Sequence, residues 1–267
     1  MSARRHLLGF ALLVATACAT PAPPPSASPP PRDSAPSPPP PLLRVAPDGP
    51  APPPPPEACT RDCALRLEPT ASVCVASSKQ LLPANDFTVE VWAKLESDGL
   101  VWNKWTDSRE DKQLKLLGET VQAFVHGAGG APADLSARVS SPSAWHHYAL
   151  SYDGTTERLF VDGTLSRSRK GDARGGDADG PLCFGANVLR GPSWTGATMT
   201  LAEGRVSTAA RYTTTFRPVA RFSADSMTRA LYRFGEFSEA RDLADDSGNG
   251  HEARLSGEGA RVEAHRP

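Results

Sequence analysis

The stretch Phe87-Thr88-Val89-Glu90-Val91-Trp92-Ala93 alternates with a period of two, so Phe87, Val89 and Val91 share one face of an extended segment and Glu90 and Trp92 the other. No helical period competes there. His147 to Tyr152 and Glu157 to Val161 are two further extended segments joined around Asp153-Gly154, and Asp162-Gly163 leads into Thr164 to Ser168. Asp-Gly is a hairpin signal because the turn needs positive φ, so three antiparallel strands in a meander are predicted. Other strand candidates are Leu114 to Gly118, Val121 to His126, Leu182 to Gly185, Met199 to Val206, Leu231 to Phe234 and Glu252 to Leu255. Many short strands and no long amphipathic helix predict an all-β fold, a sandwich or jelly roll of two antiparallel sheets.

Composition divides the chain. Of its 27 prolines, 19 lie between Pro21 and Pro56, and residues 19 to 56 offer almost no large apolar group apart from Leu42, Leu43 and Val45. Such a segment cannot fold by burial. Runs such as Pro38 to Pro41 and Pro52 to Pro56 favour polyproline II, and at about 3.1 Å per residue a spacer of this length reaches on the order of 100 Å. Ahead of it, Arg4, Arg5 and His6 precede the apolar run Leu7 to Val14 and the small residues Ala15-Thr16-Ala17, which is the order of an export signal. That run is too short to span a bilayer. The expected organisation is a signal peptide over 1–17, Cys18 with a disordered proline-rich linker over 18–56, and one folded domain over 57–267. A formal net charge of −1, with Lys+Arg at 29 and Asp+Glu at 30, lacks the basic footprint of a nucleic-acid binder.

Two resemblances refine this picture. Ala15-Thr16-Ala17-Cys18 resembles the lipobox at which bacterial lipoproteins are cleaved and acylated on cysteine, with Ala15 departing from the usual leucine. It implies lipidation of Cys18, where several acyl chains anchor stably to a membrane, and Ala19 after the cysteine implies the outer membrane, on its surface or periplasmic face. Ordinary signal cleavage, giving a secreted soluble protein, stays open. The second resemblance begins with Trp145-His146-His147-Tyr148-Ala149-Leu150-Ser151-Tyr152-Asp153-Gly154 followed by Leu159-Phe160-Val161-Asp162-Gly163, which resembles the core of laminin-G-like, concanavalin A-like jelly-roll domains. Phe87 to Trp92 is similar to the family's early F-T-V-E-x-W strand, Pro181 to Gly185 to its P-L-x-I-G strand, and Glu203 to Ser207 with Ala210-Arg211-Tyr212 to its D-E-V-R-x-S…A-R-Y segment. Leu231 to Phe234 with Asp245 to His251 resembles a closing segment of bacterial members, so the likeness runs from about Leu65 to Gly257. Ala202 stands where the family commonly has aspartate, which weakens the family's implication of calcium.

Candidate chemistry is sparse. Glycoside hydrolysis needs two carboxylates, supplied in this fold by an E-x-D-x-x-E strand. None is present, since Glu90 is followed on its face by Trp92 and Lys94. There is no G-x-S-x-G elbow and no phosphate loop. The chain is therefore read as a non-catalytic recognition module for carbohydrate or a surface protein, against the alternatives of a passive envelope lipoprotein and a glycan hydrolase. Candidate ligand residues are Trp102, Lys104, Arg109 and Trp194, with rim loops Trp102 to Asp111, Gly127 to Asp134 and Gly171 to Gly180 as the surroundings. Asp172, Asp177 and Asp179 are a candidate Ca²⁺ set. His146 and His147 point to opposite faces and cannot share a metal, and Trp145 is read as core. With Cys18 lipidated, Cys59, Cys63, Cys74 and Cys183 form an even set. Cys74 with Cys183 is favoured because both lie in strand-like segments, leaving Cys59 with Cys63, while buried thiols remain the alternative. No nucleic acid and no second copy of the chain is expected as a partner.

Overall fold

The computed structural model describes residues 63–75, 81–82, 86–106, 112–126, 132–171, 180–189, 193–236 and 241–264. These residues form two antiparallel sheets packed face to face, with no helix among them. The first sheet runs in the order β10 (Thr164–Lys170), β9 (Thr156–Val161), β8 (His146–Asp153), β3 (Asp86–Leu95), β12 (Met199–Ser207), β1 (Cys63–Leu67) and β16 (Ala260–Ala264), and β13 (Thr228–Arg233) pairs with the remainder of β12. The second runs β14 (Asp242–Leu243), β15 (Ala253–Ser256), β2 (Ser72–Val75), β11 (Leu182–Gly185), β4 (Gly99–Lys104), β5 (Lys112–Leu117), β6 (Thr120–His126) and β7 (Pro132–Arg138). Every predicted strand is present. Strand β7 was not foreseen, and it begins inside the segment read as the Gly127 to Asp134 loop.

Alternation decides what lies between the sheets. Phe87, Val89, Val91, Ala93 and Leu95 of β3 point inward and join Leu150, Leu201, Leu114, Val121 and Phe184 in one continuous core. The meander closes as expected: Asp162 and Gly163 have φ of 50° and 73°, the pair of positive values a two-residue hairpin turn requires. Cys74 of β2 stands opposite Cys183 of β11 with Cα atoms 4.1 Å apart, the close spacing of an antiparallel pair that exchanges no ladder hydrogen bonds, and the two form a disulfide. Cys59 lies outside the described residues.

The outer face of the first sheet is not left to solvent. Residues 208–227, which hold no regular structure, lie across it as a strap. Trp92 Nε1 donates to the Val219 carbonyl at 3.0 Å, Arg205 Nη1 to that of Ser223 at 3.0 Å, and Thr88 Oγ1 to that of Ala209 at 2.7 Å. Beneath the strap Glu90 has no exposed surface and uses both oxygens: Arg205 Nε donates to Oε1 at 2.8 Å, while Tyr212 Oη and His147 Nε2 each lie 2.9 Å from Oε2. Burial by itself pushes the Glu90 carboxyl up, but His147 and Arg205 outweigh it and hold it below the ordinary carboxylate range. Alongside, Glu203 takes the Phe222 amide at 2.7 Å and pairs with Arg233.

Two readings of individual residues need correction. Trp145 is half-buried at the sheet margin rather than in the core, with Lys94 Nζ 5.0 Å from its ring centre. Trp102 and Lys104 are fully buried. Register gives the reason: Lys104 pairs with Lys112, which pairs with the core residue Val125, so this side of β4 faces the other sheet.

Besides Glu203, whose carboxyl burial pushes up, two groups make stability fall as pH rises. Burial pushes the Glu157 carboxyl up to about 7, only partly offset by Arg169. Burial alone lowers the His146 imidazole, but Asp162 at 2.6 Å and the Ser141 and Ser140 carbonyls outweigh it and raise its pKa above the ordinary 6.5. Both groups hold more protons folded than unfolded, so the stability they contribute in acid is lost from pH 4.5 to about 7 for Glu157, and above 6.5 for His146. Glu90, Asp153 and Asp245 have depressed values, and their contribution is lost as pH falls below the ordinary carboxylate range. The melting temperature is therefore expected to peak at about pH 5. Glu157→Gln should flatten the decline toward neutrality, and an unchanged slope in that variant would refute the assignment to Glu157.

Candidate functional site

On the outer face of the second sheet β5 alternates cleanly. Leu114 and Leu116 are in the core, while Lys115 is half-buried and Leu117 is 43% exposed. The chain that follows β11 returns beside β4 at 193–197, where Gly196 forms a parallel bridge with Leu100, and is stitched down by backbone bonds, from Leu100 to the Thr195 carbonyl at 3.1 Å, from Ala197 to the Leu100 carbonyl at 2.9 Å, and from Gly196 to the Pro69 carbonyl at 2.8 Å. Glycine is required at this contact, because a Cβ on Gly99 would sit 2.4 Å from the Gly196 backbone.

This segment presents Trp194 half-buried at the surface. Its carbonyl accepts from the Asn187 amide at 3.0 Å, and its ring lies 5.6 Å from Trp105, tilted by 39°. Trp194 lines two clefts. The larger, about 330 Å³, is lined by Asp98, Leu100, Gln113, Lys115 and Leu117. The smaller, about 240 Å³, is lined by Pro69, Thr70, Asn187 and Val188. Val188 at 47% and Leu189 at 56% extend the apolar surface beyond it. A flat aromatic wall with a few polar groups around it is what an amphipathic ring needs: an apolar face to stack and edges to hydrogen-bond.

The two charged groups of the larger cleft are engaged differently. Asp98 Oδ1 accepts the Gly118 amide at 2.7 Å. Lys115 Nζ lies 4.6 Å from the Phe124 ring centre and forms no ion pair among the described residues.

Of the ligand residues nominated from sequence, Trp194 lies at the cleft, Trp102 and Lys104 are interior and drop out of the site, and Arg109 lies outside the described residues. Asp172, Asp177 and Asp179 also lie outside them. Among the described residues no group of three or more His, Cys, Asp or Glu side chains is placed to hold a metal ion. At Ala202 the side chain packs against Trp92, Phe222 and Leu231, and this apolar surface does not suit a cation. Asp245 is a turn residue whose carboxylate accepts the amides of Leu231, Ser247 and His251. Sequence reasoning missed Asp98, Gln113 and Lys115. The alternation Gln113-Leu114-Lys115-Leu116 carried the signal that Lys115 faces outward.

A laminin G model of the concanavalin A-like lectin/glucanases superfamily matches residues 69–211, more than half of the chain. No curated protein matches it. Among solved structures the chain is similar to a candidate carbohydrate-binding protein from Bacteroides ovatus, with 15% identity and a TM-score of 0.52, covering 74% of this chain and 60% of that one. It thus spans less than two thirds of that protein's length. It is also similar to two domains of the mouse laminin alpha1 chain, with 18% identity and a TM-score of 0.45 over 63% of this chain and 46% of that one, and to the heptameric SAP-like pentraxin of Limulus polyphemus, with 14% identity and a TM-score of 0.45 over 58% and 80%. At 15% identity the Bacteroides ovatus likeness speaks to the fold alone. Sandwich topology, the order of strand motifs and the family match converge, and the chain belongs to the concanavalin A-like lectin/glucanases superfamily as a laminin-G-like domain.

Proposed function

We propose that this domain is a non-catalytic binding module that recognises carbohydrate on a cell-envelope surface, through the clefts on either side of Trp194. The observation that carries the reading is the half-buried Trp194, held by a backbone-stitched segment, with Asp98, Gln113 and Lys115 around it. The Bacteroides ovatus likeness is consistent with a carbohydrate ligand. Glu90 supports the non-catalytic part, since a carboxylate without exposed surface and with both oxygens committed cannot reach a glycosidic bond. Trp194→Ala is expected to weaken glycan binding by about 1–3 kcal/mol, the range for stacking on aromatic side chains. Calorimetry of the whole chain against diverse envelope polysaccharides, with and without chelator, tests this. Equal affinity of wild type and Trp194→Ala would remove the site, and absence of binding to any surface extract would favour a passive envelope component.

The delivery of the domain is part of the proposal. Export, cleavage before Cys18 and acylation of that cysteine would hold the domain at the outer membrane on a proline-rich spacer. The native mature protein is expected to begin at a lipid-modified Cys18 in intact-mass measurement. An unmodified Cys18, or a different first residue, would leave the secreted soluble form.

A further inference from the structure

The two clefts differ in chemistry although one indole walls both. The smaller is lined by Pro69, Thr70, Ala186, Asn187, Val188 and Thr195, with no charged side chain among the described residues. The larger has Asp98 and Lys115. Asp98 already accepts the Gly118 amide, whereas the ammonium of Lys115 lies over the Phe124 ring and forms no ion pair among the described residues. An ammonium in a cleft gains more from a carboxylate than from a hydroxyl, because the opposite charges add Coulomb attraction to the hydrogen bond that either acceptor can take. Size adds a second constraint. The clefts, of about 330 and 240 Å³, lie at the floor of and below the roughly 300–1,000 Å³ of sites that enclose a drug-sized ligand. A ligand that uses the lining of both clefts must span Trp194, which is common to them.

We infer that the site takes an oligosaccharide of at least two rings that crosses Trp194, with a uronic acid ring in the larger cleft facing Lys115 and a neutral ring in the smaller one. This rests on the Trp194 reading above. Lys115 sets the preference for acid, and the indole supplies the shared contact for both rings.

The test uses the full chain, the oligogalacturonates and the cello-oligosaccharides from one to four rings, and hyaluronan oligosaccharides that alternate acidic and neutral rings, each at low and high salt. Affinity should rise steeply from one ring to two and then level off. An acid-containing chain should bind about tenfold tighter than a neutral one of equal length at low salt, and this advantage should shrink at high salt. Lys115→Gln should abolish the advantage, bringing acid-containing chains down to the affinity of neutral chains of equal length for the same variant, and Trp194→Ala should weaken both classes. Lys115 is half-buried on an outer face, so the variant's melting curve serves as its folding control. A single ring that binds as well as four, or Lys115→Gln lowering both classes equally, overturns the inference and leaves the carbohydrate site standing. Absence of binding to every probe, with Trp194→Ala also silent, overturns both.

Discussion

Glu90→Gln is expected to destabilise the domain by about 3–5 kcal/mol, the range for breaking a buried ion pair from one side. The amide keeps the shape but leaves Arg205, whose side chain is 7% exposed, facing a neutral group. It also turns one acceptor into a donor beside His147 Nε2 or Tyr212 Oη, at positions 2.9 Å from the carboxylate now. The cost is largely that of the charge left behind, so replacing Glu90 and Arg205 together by apolar residues of similar volume should be milder than the single change. Urea unfolding of the two single variants and the double variant measures this, and additive losses would refute the coupling. Sugar affinity at Trp194 should not change in the folded fraction of Glu90→Gln, because the network and the cleft lie on different sheets.

Reducing the Cys74–Cys183 bridge is expected to cost roughly 3–5 kcal/mol if its effect is chiefly on the unfolded chain, since it closes a loop of sequence separation 109. The bond joins β2 to β11, a pairing only four residues long at the centre of the second sheet. Melting with and without reductant, and of Cys74→Ala with Cys183→Ala, gives the figure. A melting temperature that reductant does not move, in a protein whose thiol count shows the bond was present, would contradict it.

The strands that the sequence disclosed are those with local signatures: β3 alternates over ten residues, and β8 to β10 are punctuated by Asp-Gly. Strands β1, β14 and β16 passed unnoticed because they are two to five residues long and acquire meaning only from remote partners, as Leu65 does between Leu201 and Val262. Alternation placed Trp102 and Lys104 together on one face but did not say which face was buried. The lysine suggested solvent, and register with Val125 decided otherwise. The Glu90 network was illegible for a related reason. Its acid and aromatic neighbours alternate as a surface face does, and the strap that buries them has no periodicity of its own. Trp194 was legible from its setting in Gly191-Pro192-Ser193-Trp194-Thr195-Gly196, whereas Asp98, Lys115 and Pro69 reach it only through tertiary crossing.

Cys63, the first residue of β1, pairs with Ala264, the last of β16. Tension drawn through the preceding segment and the C-terminal end would therefore load this antiparallel pair from one end, so its ladder bonds bear the force one after another, as in a zipper. Peeling would begin at the seam between β1 and β16, well before the sandwich shears. Extension from the N-terminal side would then halt at Cys74, where the covalent link to Cys183 takes the load and shields the stretch between them, including Asp98 and Lys115, from being drawn out.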